Sequence, residues 1–383
     1  MRGATKYLAG PLAGCVMSLT LTAQTAVQEK PLMAEQVFKN VKVMKGVPVG
    51  EFMDTMGFFA ASLGLNCVFC HVPESLENWD KFAEDVPRKN AARQMILMVN
   101  AINKNNFGGR RALTCYSCHR GAERPKVIPS LADQYSVPTE DPNEVEIVKD
   151  APPGPSADEI LSKYIQALGG ERLASMTSFV GKGTYEGYDS YHEKVPMEIY
   201  AKAPGQRSVV VHAQNGDTTT TFDGREGWVA AYDKPVHLLP LLAGSELDGA
   251  RFDADLCFPS RIQQALSQLK AGFPVTSIDD KEVHVIQGIA TGGSRIKLYF
   301  DSQTGLLARQ VRYTNTIVGT IPQQIDYSDY RDVGGVKMPF QWIVTWTDGQ
   351  SKFQLNDVQP NVPIDSAKLA KPPEAVVRKA PPR

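Results

Sequence analysis

Two pentapeptides carry thiols and an imidazole at a spacing with a well-defined chemical use: Cys67-Val68-Phe69-Cys70-His71 and Cys115-Tyr116-Ser117-Cys118-His119. In a CxxCH stretch, the two residues between the thiols let one helical turn present both sulfurs to the vinyl groups of a haem. The next residue then aims its imidazole at the iron. The pattern predicts two covalently attached c-type haems, held by Cys67, Cys70, Cys115 and Cys118, with His71 and His119 as iron ligands. Two other uses of paired cysteines fit part of it: a structural zinc site drawing four thiolates from the two pairs, and a pair of CxxC disulfides. Neither accounts for a histidine directly after both pairs.

The opposite face of each iron needs a donor, and an inventory narrows the choice. The first part of the chain contains no histidine besides His71 and His119. The neutral soft donors that remain are methionines, and Met opposite His is a familiar haem pair. Met56, 11 residues before Cys67, and Met95, 20 before Cys115, are the expected axial ligands. Met53 and Met98, about one turn away, are their nearest rivals and are expected to fill core space. Each favoured methionine falls on a helix-period pattern. Phe52, Met56, Phe59, Ala60 and Leu63 share one face of a helix from Gly50 to Leu63, ended by Gly64. Ala91, Met95, Met98 and Ile102 share a face of a second helix from Pro87 to about Asn103.

Composition bounds the rest. The chain has 383 residues, 42% of them hydrophobic, and a formal net charge of −1. This is the make-up of a soluble globular protein and offers nothing to a nucleic-acid partner. A basic start (Met1 to Lys6), an apolar stretch (Tyr7 to Thr22) and small residues ending at Ala23 or Ala26 read as a secretory signal peptide over residues 1–26. Export to the periplasm or cell envelope is the expectation. Leu12-Ala13-Gly14-Cys15 resembles a lipoprotein processing site, so membrane association through a lipid anchor at Cys15 stays open. Cys257 has no partner left and is expected as a buried small apolar residue.

A dihaem domain is expected over 27–129, a Pro-rich acidic linker over 130–155, a β-rich domain over 156–375 and a tail over 376–383. Residues 30–128 hold 14 Lys and Arg against 9 Asp and Glu, a net +5, while 131–155 hold six acids and one lysine, a net −5. Arg110, Arg111, Arg120 and Arg124 gather around the second CxxCH, as a basic rim for haem propionates or an acidic redox partner, or simply as solvated surface. Past the linker, Ser156-Ala157-Asp158-Glu159 has the capping-box pattern and opens a helix to Leu168. The period then becomes two, with strand-like segments from Thr177 to Val358 separated by turn residues and a helical interruption at Pro259 to Leu269. The expected architecture is multidomain: a mainly α dihaem cytochrome c domain, then an antiparallel β half-barrel packed on a helix. His192, His212, His237 and His284 lack ligand spacing. No nucleophile, phosphate loop or paired-acid motif is present, so an electron-transfer protein is expected and not an enzyme.

The first part resembles the cytochrome subunit bound to photosynthetic reaction centres of purple bacteria. The residues that carry the resemblance are Met56, Leu63 to His71, Trp79, Ala92 to Met98, Ala101-Ile102-Asn103 and Thr114 to Gly121. In that family a methionine on a helix precedes each Met-ligated CxxCH, which favours Met56 and Met95. The family subunit carries four haems in two tandem pairs, one with a histidine from another segment. Here there is a single pair and no spare histidine, so the resemblance implies half of that module, with electron transfer retained. The second part is similar to the periplasmic lipoprotein-carrier fold in its opening helix Ile160 to Gly170, Phe222-Asp223-Gly224, Tyr299 to Leu307 and Tyr327 to Arg331. That likeness implies an apolar cavity, with Trp228, Leu238, Leu239, Leu241 and Leu242 to line or cover it, and a lipid or apolar ligand. Together these point to an exported dihaem electron carrier serving a redox donor and acceptor protein. A dihaem peroxidase-like enzyme and a haem-based redox sensor are the alternatives.

Overall fold

Apolar residues at helical spacing give helices in the first part of the described chain, and the period-two segments give strands in the second. A computed structural model describes residues 30–131, 154–272 and 276–378. The signal-peptide stretch with Cys15, most of the linker and the last residues of the tail lie outside them.

The N-terminal region is helical: α1 (Ala34–Val37), α2 (Val49–Leu63), α3 (Pro87–Asn106) and α4 (Cys115–His119), joined by 3-10 turns at Cys67–Phe69, Pro73–Leu76 and Trp79–Ala83. Pro87 supplies the first-turn position of α3, where its missing N–H costs nothing. Gly64, in the left-handed region at φ 64, closes α2, its N–H bonding Ala60 O. Both helices lie where the periodicity predicts them, with α3 running one turn further.

After the linker, α5 (Ala157–Leu168) opens with the predicted capping box: Ser156 Oγ accepts from Glu159 N, and the Glu159 carboxylate accepts from Ser156 N. A single antiparallel sheet follows, made of β1 (Ser178–Glu186), β2 (Val195–Lys202), β3 (Gln206–Ala213), β4 (Gly216–Phe222), β5 (Gly227–Ala230), β6 (Leu239–Pro240), β7 (Leu266–Ala271), β8 (Thr276–Ile278), β9 (Lys281–Ala290), β10 (Arg295–Asp301), β11 (Leu307–Asn315), β12 (Thr320–Val333), β13 (Val336–Trp346) and β14 (Gly349–Pro360). Between β6 and β7 lie α6 (Ser245–Cys257) and α7 (Ile262–Ala265). The strand order is β6-β5-β4-β3-β2-β1-β14-β13-β12-β11-β10-β9-β7, with β8 on β9. The first and last strands of the two halves pair, β1 with β14, while the far ends stay unjoined: the sheet is open, not a closed barrel.

Alternation decides which face is inside. Val195, Met197 and Ile199 of β2 are buried, and they meet Ile160, Leu161, Tyr164 and Leu168 of α5 in the main core, with Leu298, Phe300, Phe340 and Leu355 from the other half. The helical region is fastened to this sheet through the β11–β12 hairpin. Phe58 of α2 is buried against Val318 and Ile321, and Ile317 joins a second small core of Met44, Val47 and Ile96. The described residues from Pro31 onward pack as one compact unit. No helix among the described residues is long and apolar enough to cross a membrane.

The expectation of helix over Pro259 to Leu269 holds for the 3-10 turn Pro259–Arg261 and the helix Ile262–Ala265 and needs correction beyond them. The long helix of this stretch is Ser245–Cys257, and from Leu266 the chain enters β7, paired with β9. Ile262, Ala265, Leu266 and Leu269 have helical spacing, but pairing with an established strand outweighs so short a local pattern.

Candidate haem-binding site

Both CxxCH turns are built around the C-terminal end of α2. The first follows it directly, after Leu65 and Asn66, as a tight turn in which the N–H groups of Cys70 and His71 both bond Cys67 O, at 3.2 and 3.0 Å. The second is brought there from far along the chain. Gly121 N donates to Ser62 O at 2.9 Å, and a side chain at Gly64 would collide with the Gly121 carbonyl, so two glycines allow the backbones to touch.

The two turns are held differently. Thr114 caps α4 by accepting from Ser117 N, and Ser117 Oγ accepts in return from Thr114 N at 3.0 Å. Asn103, buried in α3, fixes the approach: its Nδ2 donates to Leu113 O at 2.8 Å while its Oδ1 accepts from Ala112 N and Leu113 N. His119 Nδ1 lies 3.0 Å from Ala122 O, so as an N–H donor there it leaves Nε2 as the free lone pair. His71 faces the Phe82 carbonyl without a well-formed hydrogen bond at Nδ1. Its Nδ1 is buried without a hydrogen-bond partner, and the ring is steadied by the edge of Phe82, centroids 4.9 Å apart. Lys89 supports that wall by donating to Phe82 O and Glu84 O. Burial, with Lys89 next, lowers the His71 pKa from its ordinary value and favours the neutral imidazole that a metal ion requires.

Both sites open on one cavity of about 2520 Å³, beyond the ~300–1,000 Å³ of ordinary small-molecule pockets and so able to take more than one large group. Its walls include Met56, Met95, Cys67, Cys70, His71, Cys115 and His119, and from the sheet region Tyr188, Lys234, Leu241 and Asp348. Phe52, Phe38, Trp79 and Phe82 form a line of ring contacts along one side, with centroids 5.0 to 6.4 Å apart. Asp54 opens on the cavity yet is surrounded by protein, and burial, then the like charge of Glu246, pushes its carboxyl up to about 7.

These residues fit the haem expectation in a specific way. The four thiols form no disulfide, and burial raises the pKa of Cys67, Cys70 and Cys115. No group of three or more His, Cys, Asp or Glu among the described residues is placed to share one metal ion, which removes the four-thiolate zinc alternative. The buried, unpartnered Nδ1 of His71 beside an aromatic-lined cavity marks an imidazole whose surroundings are incomplete in the polypeptide alone.

Of the methionines, Met56 is partly buried against Met44, Val47 and Ile96, and Met95 is 44% exposed; both line the cavity. Met53 also lines it, whereas Met98, 45% exposed, does not. Arg110, Arg111, Arg120 and Arg124 are all exposed. Leu239, Leu241 and Leu242 line the cavity as expected, but Trp228 and Leu238 do not. The Cys257 thiol also faces it, donating to Asp253 O, and burial pushes its pKa up to about 11. Reading the sequence missed Phe38, Phe82, Ala122 and Asp348. An aromatic three residues before Asp85 or a carbonyl three residues past His119 carries no signal until the fold brings it to the ring.

Residues 16–150 match the family model described as photosynthetic reaction centre cytochrome C subunit. The photosynthetic reaction center cytochrome c subunit of Thermochromatium tepidum is 34% identical over 119 residues, covering 28% of this chain and 28% of that protein. That of Rubrivivax gelatinosus is 32% identical over 125 residues, covering 28% of this chain and 32% of that protein. The chain thus spans about a third or less of the length of these relatives. The sheet region resembles a LolA superfamily protein from Nitrosomonas europaea, at 14% identity and a TM-score of 0.38, covering 54% of this chain and 94% of that one. A DUF1329 family protein from Desulfovibrio piger aligns at 9% identity and a TM-score of 0.39, covering 56% of this chain and 96% of that one. The helical N-terminal part of this chain is similar to the photosynthetic reaction centre cytochrome c subunit over the stretch that holds both CxxCH turns.

Proposed function

We propose that this protein is an exported electron carrier with two covalently attached c-type haems, each ligated by a histidine and a methionine. The observation that carries the reading is the pair of CxxCH turns on one aromatic-lined cavity: Cys67, Cys70 and His71 of the first and Cys115 and His119 of the second line it, with Cys118 exposed beside them. Cys67 and Cys70 hold the first haem and Cys115 and Cys118 the second; His71 and His119 are the proximal ligands, Met56 and Met95 the distal ones. Haem bound in this way supplies reversible one-electron exchange.

The chain's own residues prepare for that exchange. His119 is oriented by Ala122 O, burial favours the neutral form of His71, and the aromatic line from Phe52 to Phe82 gives one wall an apolar lining. With His71 and Met56 offered to one haem and His119 and Met95 to the other, these residues would leave no iron position for a substrate, which favours transfer of electrons between protein partners over catalysis. The exposed arginines beside the second site offer a docking face for an acidic redox partner. Residues 27–129 form the cytochrome domain, 130–155 the tether and 156–375 a domain for a lipid-like or apolar ligand. The protein works in the periplasm or cell envelope, released by cleavage of residues 1–26 or anchored at Cys15.

A ferric haem with a methionine ligand has a weak sulfur-to-iron band near the red edge of the spectrum. Met95→Ala should abolish half of that absorbance, and the reduced wild-type protein should resist carbon monoxide. An unchanged band in the variant, or ready carbon monoxide binding by the wild type, would refute the ligand assignment.

A further inference from the structure

Helix α2 carries Met56 and leads into the first CxxCH, and two of its glycines face carboxylates from the sheet region. A side chain at Gly50 would collide with the Glu246 carboxylate at the start of α6. One at Gly57, seven residues on and on the same face, would lie 2.8 Å from Asp348 Oδ1. Asp348 stands at the turn between β13 and β14 and lines the cavity. It is close enough to Cys67 for its charge to raise that thiol's pKa, after burial. Tyr188 senses both Cys67 and Asp348, and Lys234, paired with Asp233 at 3.2 Å, sits over the Tyr188 ring at 5.9 Å; burial raises the Asp348 pKa, and the Lys234 charge opposes that rise. By contrast, the sheet region meets the second CxxCH through apolar side chains, Cys115 packing beside Val318 and Ile317.

Resting on the haem reading above, we infer that Asp348 is a positioning residue for the first haem alone: it braces α2 through Gly57 and sets a negative charge beside that site. A carboxylate in a cavity of low dielectric favours the more positive, oxidised iron. Lys234 works in the opposite sense. The sheet region thereby sets the difference in potential between two otherwise similar haems, and gives a direction to electron flow between them.

The test is a redox titration of the full-length protein, after confirming two covalent haems per chain. Asp348→Asn should raise one of the two potentials by about 59 mV, a tenfold change in the reduced-to-oxidised ratio at fixed poise, and leave the other in place. Asp348→Glu should restore it. Lys234→Met, which leaves the Gly57 contact untouched, should lower the same potential and carries the test alone if Asp348→Asn does not accumulate. Two bound haems whose potentials stay put, move together or shift in the opposite sense would overturn the inference. A wild type with fewer than two haems would instead overturn the reading on which it rests.

Discussion

The first and second CxxCH turns share a pentapeptide pattern and the end of one helix, but they are supported by different means. The second is hydrogen-bonded into its neighbourhood: Thr114 and Ser117 cap the turn, Asn103 ties down the preceding strand of chain, and Ala122 O orients His119. The first turn, Cys67–Phe69, has no side-chain cap; its His71 leans on Phe82, and Asp348 from the sheet region lies near Cys67. The sheet reaches the two turns by different means: charged and polar groups, Asp348 among them, lie near Cys67, whereas Val318 and Ile317 of the β11–β12 hairpin meet Cys115 through apolar contact.

The strongest challenge to this contrast is Phe58→Ala. Phe58 seats α2 on Val318 and Ile321, so truncation should cost about 3–5 kcal/mol in denaturant unfolding. Loosening α2 should broaden the spectrum of the first haem more than that of the second. Equal disturbance of both would erase the distinction. A smaller effect is expected from Asn103→Ala, which strands three backbone groups around Ala112 and Leu113 and should cost about 1–3 kcal/mol, with its spectral change confined to the second haem.

The smallest effect concerns acid. The Lys42 ammonium and the Arg93 guanidinium, with Asn40 beside them, hold the Asp85 carboxyl well below the usual carboxylate range and latch α3 to the preceding loop. A depressed folded-state pKa stabilises above the unfolded value, about 3.9, and the gain is lost as pH falls through the folded value. Asp85→Asn should therefore melt slightly below wild type at pH 7, and the gap should close in strong acid. A gap that persists there would mean the latch is not electrostatic.

Much of this arrangement was legible in the residues themselves. The CxxCH spacing, the apolar faces of α2 and α3, the capping box of α5 and the period-two run each follow from local chemistry acting over a few residues. Helix α6 was not legible, because Gly249 interrupts it and its acidic residues dilute the apolar face. Leu266 to Leu269 read as helix from local spacing because the pairing of this strand with β9 is a non-local term. The sheet's reach to the first haem site depends on Gly57 meeting Asp348, residues almost 300 positions apart in sequence. Only the folded chain reveals which carboxylate a glycine on a helix face makes room for.

The most direct test of the central claim is haem stoichiometry on the exported protein, by pyridine haemochrome absorbance and intact mass. The account predicts two covalent haems per chain, falling to one in Cys67→Ser with Cys70→Ser and to one in Cys115→Ser with Cys118→Ser. One haem or none on the wild-type chain would contradict it.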